Sequence, residues 1–317
     1  MNELLDKPYV VSVVGGSGFV GRHLIALLKG HAQSIRVLSR DPKDATHPDI
    51  VYHQGNIFDG ESLKRFLDGS DVLINLAHPL DVVSDSEYIS GFSNLAAASL
   101  QSGVARVVHT STAMVVGVPD SLVVDESSKC NPLTQYERRK IEVEKVFLEM
   151  PSSDVDVGIL RPTAVFGEGG LNLLKLASTI LDSPPWQRHL LRFLHGGRQM
   201  HLVSVHDVVS ALFFLAFLNR PLHGNIFNIS SDELQLNRYQ AVDSILGSAF
   251  SKPAALRSFS LPSPILKVVL RAIGRSQADP EMVYSSQKIL DWGFIKSSDF
   301  EKDLRSFAQS FLERKVQ

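Results

Sequence analysis

The stretch Val10-Val-Ser-Val-Val-Gly15-Gly-Ser-Gly18-Phe-Val-Gly21 decides the fold. It joins an apolar run, Tyr9–Val14, to an amphipathic stretch, Gly21–Lys29, through glycines at GxxGxxG spacing. This arrangement is typical of a strand that turns tightly into a helix, because glycine has no Cβ to obstruct the turn or an approaching ligand. The N–H groups at the start of such a helix can bind the pyrophosphate of a dinucleotide. We therefore predict a nucleotide-binding strand–helix unit here.

Apolar runs and helical periodicity alternate through the first half of the chain. The predicted strands are Tyr9–Val14, Ile35–Leu38, Val51–His53, Val72–Ala77, Val107–Thr110 and Val157–Leu160. The predicted helices are Gly21–Lys29, Gly60–Leu67, Glu87–Gln101 and Gln135–Glu149. Several strands are apolar throughout, as in parallel sheets that are buried on both faces. The pattern predicts an α/β fold, a Rossmann-type doubly wound parallel sheet with right-handed crossovers.

The pattern changes after about residue 165. Predicted helices are Leu171–Leu181, Asp207–Asn219, Arg238–Ser248, Ile265–Ile273 and Asp299–Arg314, and predicted strands are Met200–Val205 and Ile226–Ile229. A proline-containing stretch, Ser183–Trp186, separates two of these elements. We expect an NAD(P)-binding domain over residues 1–165. Residues 166–317 are expected to form a smaller α/β part that mainly binds substrate, with some chain crossing back to the first domain.

Composition excludes several classes of protein. The 317 residues include 32 basic and 34 acidic side chains, for a net charge of −2, and 44% of them are hydrophobic. This balance does not suit a nucleic-acid-binding surface. The single cysteine, Cys130, excludes a disulfide framework and fits a reducing compartment. We see no secretory signal, no apolar run long enough for stable membrane insertion and no metal-ligand spacing, and we expect a cytoplasmic location.

The end of the second predicted strand bears on the choice of cofactor. It contains Ser39, Arg40 and Asp41 in succession. An NAD site usually places an acid there to bind the ribose 2′-hydroxyl, and that position falls on Ser39. A hydroxyl beside a guanidinium suits a 2′-phosphate, which favours NADP over NAD. The alternative is that Arg40 lies in solvent and Asp41 takes the acidic role.

Motifs along nearly the whole chain resemble those of the extended short-chain dehydrogenases/reductases, in the NAD-dependent epimerase/dehydratase group. In family order they are Gly15-xx-Gly18-xx-Gly21, Asn56-Ile-Phe-Asp59, Asp71-Val-Leu-Ile-Asn-Leu-Ala77, Thr110-Ser-Thr112, Tyr136-xxx-Lys140, Arg161-Pro-Thr163 and His201-Leu-Val-Ser-Val-His-Asp207. Each motif alone is weak, but the series in this order is specific.

Tyr136 and Lys140 lie four residues apart and share one face of a predicted helix. A phenol has a pKa of about 10, and a nearby ammonium group and a positive nicotinamide both favour the phenolate. We therefore expect Tyr136 to reach a useful acid–base range. A hydroxyl from Thr112 can orient the substrate oxygen, with Ser111 as the neighbouring candidate. Only one of the two hydroxyls should face the nicotinamide, because adjacent residues at a strand end point to opposite sides; the resemblance favours Thr112.

The resemblance also implies which residues contact the cofactor. Lys140 would hold the nicotinamide ribose as well as act on Tyr136. Asn56 and Ile57 would lie against the adenine. The full predicted set is Gly15, Ser17, Gly18, Phe19, Val20, Gly21, Ser39, Arg40, Asn56, Ile57, Leu76, Ala77, His78, Thr110, Tyr136, Lys140, Arg161, Pro162 and Thr163.

Substrate contacts are less well marked. The resemblance suggests that Asn172 and Arg275 contact a nucleotide diphosphate, with Arg198 near the usual position of a further arginine. His78 and Thr112 complete the predicted substrate set. Asn172 as a helix cap, Arg275 in solvent and His78 as the end of a strand are the structural alternatives. Met200 and Ala164 depart from the nucleotide-sugar pattern.

These features predict an NAD(P)-dependent oxidoreductase or epimerase that moves hydride between nicotinamide and a secondary alcohol or ketone. A nucleotide sugar is the leading expected substrate, and a steroid- or flavonoid-type ketone is the alternative. A second alternative is an NADP-binding sensor or assembly subunit without turnover. The resemblance also implies a homodimer formed through the helices Glu87–Gln101 and Gln135–Glu149.

Overall fold

The computed structural model describes residues 9–42, 47–79, 84–150, 155–252, 261–272 and 279–316. Its strands are β1 (Val10–Val14), β2 (Ser34–Ser39), β3 (Ile50–Gln54), β4 (Val72–Asn75), β5 (Arg106–Thr110), β6 (Val123–Val124), β7 (Asp156–Pro162), β8 (Ala164–Phe166), β9 (Leu202–Ser204), β10 (Asn225–Ile229) and β11 (Val283–Tyr284). Its helices are α1 (Phe19–Leu28), α2 (Gly60–Leu67), α3 (Asp85–Gln101), α4 (Gln135–Leu148), α5 (Leu174–Asp182), α6 (Pro185–His195), α7 (Val205–Phe217), α8 (Tyr239–Ala249), α9 (Ser263–Ala272), α10 (Gln287–Asp291) and α11 (Phe300–Val316).

A seven-stranded sheet in the order β10-β7-β5-β4-β1-β2-β3 forms the framework. Strand β1 pairs in parallel with β2 on one side and with β4 on the other, so Val11 lies beside both Ile35 and Val72. The chain therefore reverses its direction of winding at β1, and the carboxyl ends of β1 and β4 border the crevice where α/β sheets bind ligands. The predicted Rossmann-type sheet is confirmed.

Contacts between residues divide the chain into two compact units. Unit 1 comprises Met1–Val115, Thr134–Arg161 and Val209–Phe227, and unit 2 comprises Val116–Leu133, Pro162–Val208 and Asn228–Gln317. Each unit has its own apolar core. In unit 1 the core includes Phe66, Phe92 and Phe147. In unit 2 it includes Phe166 and Leu304.

Local sequence explains where the helices of unit 1 begin. The Asp59 side chain accepts hydrogen bonds from the first turn of α2, and Ser84 does the same for α3. Thr134 and Glu137 form a reciprocal capping box on α4. Such caps satisfy N–H groups that have no partner within the helix. Helix α1 has Gly18 as its N-cap residue and no side-chain cap, so its first N–H groups have no side-chain acceptor there.

The strongly periodic elements of the first half lie within two residues of their predicted positions, but others differ. Helix α6 occupies Pro185–His195, where we predicted only a proline-containing stretch at Ser183–Trp186. Within the two-residue margin, strand β4 ends at Asn75 rather than Ala77, and the Asn75 side chain accepts a hydrogen bond from the Ala77 backbone N at 3.0 Å. The short strands β6, β8 and β11 and the helix α10 were not predicted, because two to five residues are too few to show a hydrophobic period.

In the described part of the chain, none of the helices has the length and apolar character needed to cross a membrane.

Candidate active site

The turn between β1 and α1 depends on glycine at particular positions. Gly15 adopts φ +81°, and a Cβ there would lie 2.8 Å from the carbonyl carbon of Leu76. A Cβ on Gly21 would lie 2.3 Å from the carbonyl oxygen of Gly15. The first turn of α1 carries neither an acidic residue nor a side-chain cap. This turn therefore presents unscreened N–H groups and the positive end of the helix dipole, as a pyrophosphate requires.

A cleft of about 1360 Å³ opens beside this turn in unit 1. It brings together a large part of the predicted cofactor set. These residues are Gly15, Ser17, Gly18, Phe19, Val20, Gly21, Ser39, Arg40, Asn56, Ile57, Leu76, Ala77 and His78. Its lining includes residues at or after the carboxyl ends of β2, β3 and β4. These residues fit a dinucleotide, with the pyrophosphate at α1.

The cleft also includes residues outside the predicted cofactor set. Tyr52 and Glu87, which the sequence did not single out, line it together with Ser39, Arg40 and Asp41, the alternative acidic residue. The Ser39 hydroxyl donates to the backbone oxygen of Asp41 at 2.8 Å. Both the guanidinium that suits a 2′-phosphate and the carboxylate that suits a 2′-hydroxyl therefore lie at the same end of the cleft. The alternative between Arg40 and Asp41 that the sequence left open therefore stays open at this end of the cleft.

Asn56 and Ile57 follow β3 in a tight turn at the cleft wall. The Asn56 side-chain oxygen accepts a hydrogen bond from the Phe58 backbone N at 2.8 Å. Its amide nitrogen is therefore the group that remains for a base. The Asn94 side chain of α3 donates to the backbone oxygen of Ile57 at 3.5 Å.

Tyr136 lies in the first turn of α4, and Thr112 follows β5. The structure brings their side chains into a hydrogen bond. Burial and the charge of Glu137 raise the pKa of Tyr136 above its ordinary value, although the bond to Thr112 opposes this shift. We expected a lowered pKa; in the chain itself desolvation dominates, and Lys140 is not among the causes of the shift. The phenol therefore keeps its proton at neutral pH.

Thr112 rather than Ser111 is the hydroxyl in contact with Tyr136. The Thr112 oxygen also accepts a hydrogen bond from the Met114 backbone N at 3.3 Å. The hydroxyls of Thr110 and Ser111 are buried and have no hydrogen-bond partner among the described residues. These unpartnered polar groups lie at the carboxyl end of β5, where the predicted nicotinamide end of the cofactor would lie.

Lys140 is 4% exposed and lies one helical turn after Tyr136. Its ammonium donates to the Thr110 backbone oxygen at 3.1 Å. Desolvation lowers the pKa of Lys140 to about 8, against the opposing effect of Glu144. The lysine therefore carries a charge at neutral pH and loses it at mildly alkaline pH.

A buried polar pair lies beneath the loop that follows β4. The Asn75 amide nitrogen is 3.0 Å from Nδ1 of His109, and the Asn75 oxygen accepts from Ala77 N. Burial and the charge of Lys140 lower the pKa of His109 well below its usual value. This neutral pair fixes the backbone at Ala77 against the end of β5.

The Arg161 side chain does not lie in the cleft described above. Its guanidinium donates to both carboxylate oxygens of Glu144, at 2.8 and 2.5 Å, and both side chains are buried. Arg161 thus joins β7 to α4, and the predicted cofactor contact from this residue stays a prediction. Pro162 and Thr163 belong to unit 2, where the Thr163 N donates to the Ile229 oxygen at 3.0 Å.

Two of the predicted diphosphate contacts lie within the described residues of unit 2. The Asn172 amide donates to the Val165 backbone oxygen at 2.7 Å, so this side chain stabilises its own loop. The Arg198 backbone oxygen accepts from Tyr239 N at 2.9 Å, and its side chain is partly buried. Arg275 lies outside the described residues.

A histidine and two residues of the neighbouring helices complete the site, and sequence reasoning missed the latter two. His78 lines the cleft, and its ring centroid is 5.0 Å from that of Tyr136 at an angle of 73°. Its Nδ1 lies 2.9 Å from the hydroxyl of Tyr88 in α3. Arg139 of α4 lies 4.9 Å above the Tyr88 ring. A tyrosine within an amphipathic helix suggests packing, and no sequence pattern distinguished it.

The described residues contain no cluster of three or more histidine, cysteine, aspartate or glutamate side chains that could hold a metal ion.

Comparison with known proteins identifies the family. The sequence model of the NAD dependent epimerase/dehydratase family matches residues 11–230. A 3-beta-hydroxysteroid dehydrogenase of Mycolicibacterium neoaurum is 29% identical over 52% of this chain and 50% of its own length. A ceramide reductase of Caulobacter vibrioides is 25% identical over 82% of this chain and 75% of its own length. The chain spans about half the length of the first curated relatives that it matches.

Among solved structures, the dTDP-glucose 4,6-dehydratase DesIV of Streptomyces venezuelae, with NAD and TYD bound, has the same fold. It superimposes with a TM-score of 0.72 at 20% identity, over 97% of this chain and 98% of that one. The family match, which covers more than half of the chain, confirms the resemblance drawn from the motifs: the chain belongs to the NAD dependent epimerase/dehydratase family.

Proposed function

We propose that this chain is an NAD(P)-dependent oxidoreductase that moves hydride between nicotinamide and a secondary alcohol or ketone. One observation carries the proposal: Tyr136 is hydrogen-bonded to Thr112 and its ring lies against His78, which lines the dinucleotide cleft. An acid–base group and a positioning hydroxyl are thereby adjacent to the place where a nicotinamide cofactor would bind.

The roles of the side chains follow from this geometry. Tyr136 exchanges a proton with the substrate oxygen, and Thr112 accepts or donates a hydrogen bond that orients the same oxygen. Lys140, charged at neutral pH, stabilises negative charge that develops on the phenol and its surroundings. A bound nicotinamide supplies the hydride acceptor or donor. Because burial raises the pKa of Tyr136, its phenol is protonated at neutral pH and can donate the proton that ketone reduction consumes.

For the substrate, a hydrophobic ketone or alcohol is the better supported class. Asn172, the predicted diphosphate contact, donates its amide to Val165 of its own unit. Met200 and Ala164 lack the polar groups of the nucleotide-sugar pattern. Two relatives bear the names 3-beta-hydroxysteroid dehydrogenase and ceramide reductase. We therefore place the steroid-type alternative first.

A nucleotide sugar is the second candidate. Its support is the family itself and the shared fold with a dTDP-glucose 4,6-dehydratase. In this case either a released or a rotated ketone intermediate is compatible with the same side chains, so the product would be a reduced sugar or an epimer. The second unit, which contains Asn172 and Arg198, would supply the substrate contacts.

A panel of ketones tests these proposals. Nicotinamide fluorescence is followed with NADPH and with NADH while steroid ketones, long-chain aliphatic ketones and nucleotide 4-keto-sugars are added in turn, and sugar products are separated by chromatography. We expect oxidation with an apolar ketone, and none with the Tyr136→Phe variant. Tight NADPH binding without oxidation by any class, and without an epimer, would instead support the sensor alternative.

NADP preference over NAD is proposed from Ser39 and Arg40, both of which line the cleft. Arg40→Ala should weaken NADPH binding by about tenfold or more, because a charge-assisted contact to phosphate is lost, and should spare NADH. Asp41→Asn serves as the matched control in the same turn. Equal weakening of NADPH and NADH binding by Arg40→Ala would contradict the assignment. A loss of NADH binding in Asp41→Asn, without an effect of Arg40→Ala on NADPH, would contradict it as well and would place Asp41 at the ribose.

A further inference from the structure

We propose that His78 is a neutral hydrogen-bond donor to the substrate carbonyl oxygen beside Tyr136, and that Tyr88 is a positioning residue that fixes the tautomer of its ring. The identity of the acceptor oxygen rests on the proposed function. The tautomer of His78 is argued independently of that function. His78 lies three residues after the end of β4, its side chain is exposed, and it lines the cleft beside the glycine turn. Its ring meets the Tyr136 ring edge to face.

Tyr88 decides which nitrogen of His78 carries the proton. The Tyr88 side chain is fully buried, and burial raises the pKa of its phenol, so the O–H is retained. Among the described residues, Nδ1 of His78 is the hydrogen-bond partner of this hydroxyl, at 2.9 Å. If Nδ1 carried the proton, the phenol hydrogen would be buried without an acceptor, at a cost of about 1–3 kcal/mol. The phenol therefore donates to Nδ1, and Nε2 carries the ring proton.

The position of Tyr88 is itself held from two helices. The guanidinium of Arg139 in α4 lies 4.9 Å above the Tyr88 ring. Its Nε donates to Oδ1 of Asp85 in α3 at 2.6 Å, and the Gln135 amide donates to the same oxygen at 2.8 Å. Together these contacts join α3 to α4 around the phenol. The hydrogen bond from Tyr88, whose own position is fixed by these contacts, therefore orients the His78 ring.

His78 stays neutral under working conditions. Partial desolvation and the charges of Lys140 and Arg139 lower its pKa to about 4. Tyr136 and Tyr88 face the same ring, and Glu87 lines the same cleft. A neutral imidazole can donate a hydrogen bond to a carbonyl oxygen without competing with the phenol for the transferred proton. The N–H of His78 therefore adds polarisation to the acid–base role of Tyr136.

Nitrogen-15 NMR of the histidine-labelled full chain, without cofactor, tests the tautomer. The His78 signals are assigned by their loss in His78→Gln. We expect a pyridine-type Nδ1 and a pyrrole-type Nε2, and a shift towards a mixture of tautomers in Tyr88→Phe, which keeps the ring volume. Tyr52→Phe, another tyrosine beside the cleft, is the matched control and should leave the signals unchanged. A protonated Nδ1 in the unmodified chain, or no change in Tyr88→Phe, would overturn the proposal.

Kinetics then tests the acceptor, on the ketone that the panel identifies. His78→Phe should lower kcat/KM by about 10- to 100-fold, since one hydrogen bond to the reacting oxygen is lost. His78→Gln, which keeps an N–H donor, should recover much of this loss, and the cofactor Kd of both variants is measured alongside because His78 also lines the cleft. Equal activity of the two variants, or a matching rise in the cofactor Kd, would exclude the substrate oxygen as the acceptor. The NMR test of the tautomer needs no substrate, so its result does not depend on the proposed reaction. The activity of Tyr136→Phe tests that reaction separately.

Discussion

Lys140 carries a charge in a position where burial opposes it. Its side chain is 4% exposed, and its lowered pKa of about 8 expresses the cost of desolvating an ammonium group. The hydrogen bond to the Thr110 oxygen offsets part of this cost. A neutral side chain at position 140 would avoid this desolvation cost, so stability alone does not explain a buried lysine there. A role beside Tyr136 is consistent with its presence.

Replacing Lys140 with Met should therefore separate stability from activity. In the unfolded chain a lysine has a pKa of about 10.4, so the folded state binds its proton less tightly. The destabilisation is fully present below pH 8, decreases as the pH rises and disappears above about 10.4. Lys140→Met should raise the free energy of unfolding at pH 7 by up to about 3 kcal/mol, with a gain that fades across this range. Denaturant unfolding at a series of pH values measures it.

The same substitution should abolish most turnover. In the unmodified chain kcat/KM should decline above pH 8 as Lys140 loses its proton, and a pH–rate profile checks this decline. A variant that is less stable at pH 7 than the unmodified chain would contradict the desolvation argument, and unchanged turnover would contradict the catalytic one.

Tyr136→Phe removes one oxygen from the site. Loss of a general acid–base group should lower turnover by about 100-fold or more. Cofactor affinity should change little, because the residues of the glycine turn and the cleft are untouched. Steady-state rates and fluorescence titration with NADPH measure the two effects. Near-normal turnover in this variant would assign the proton transfer to another group.

At the scale of elements, the turn between β1 and α1 leaves little room for an added side chain. A Cβ on Gly21 would lie 2.3 Å from the Gly15 oxygen, and backbone at both ends of that contact has to move. We expect Gly21→Ala to destabilise the chain by about 1–3 kcal/mol and to weaken cofactor binding. Gly60→Ala is the control, since nothing lies within 4 Å of its Cβ at the start of α2. Thermal unfolding and cofactor titration of the two variants should differ clearly; equal behaviour would mean that the turn relaxes freely.

The sequence predicts elements well where the buried face is apolar. The strands of the central sheet and helices α2 and α4 lie close to their predicted bounds for this reason. Helix α6 was not predicted because it buries charged side chains and exposes apolar ones. Its buried side chains are Arg188 and Arg192, which bind Asp243 at 3.0 and 2.5 Å, while Trp186 is 66% exposed. A hydrophobic period cannot reveal a helix that buries its charges.

The site was predictable to a similar extent. Motif spacing locates the glycine turn and the pair Tyr136 and Lys140, since local geometry determines these arrangements. The bond between Arg161 and Glu144 joins residues 17 positions apart on different elements, and spacing does not show it. The same holds for Tyr88, whose hydroxyl meets His78 only when α3 lies beside the loop that follows β4. Such partners arise from tertiary structure alone.

At the scale of the whole molecule, the proposed catalytic residues Thr112, Tyr136 and Lys140 all belong to unit 1, as does the cleft beside the glycine turn. The predicted substrate residues Asn172 and Arg198 belong to unit 2. The role of unit 2 stays a proposal.

The resemblance implies a homodimer formed through α3 and α4, and we expect one in solution. Light scattering coupled to size-exclusion chromatography should give twice the mass of the chain. Charge reversal on an exposed position of α4, such as Arg138→Glu, should shift this mass towards the monomer if the two helices form the interface. Cys130, on neither helix, offers Cys130→Ser as a control. A monomer at all concentrations would remove the implied interface.

The central claim is that a phenol, a hydroxyl and an ammonium group converge on the reactive end of a bound nicotinamide. A crystal structure of the chain with NADP⁺ tests it most directly, through the distances from the Tyr136 Oη, Thr112 Oγ1 and Lys140 Nζ atoms to the nicotinamide ring and its ribose. We predict the pyrophosphate at Gly18 and Phe19, Lys140 within hydrogen-bond distance of the ribose, and the Tyr136 and Thr112 oxygens facing one common position beside the ring. A nicotinamide bound away from β5, or a Tyr136 phenol turned towards bulk solvent in that complex, would contradict the account.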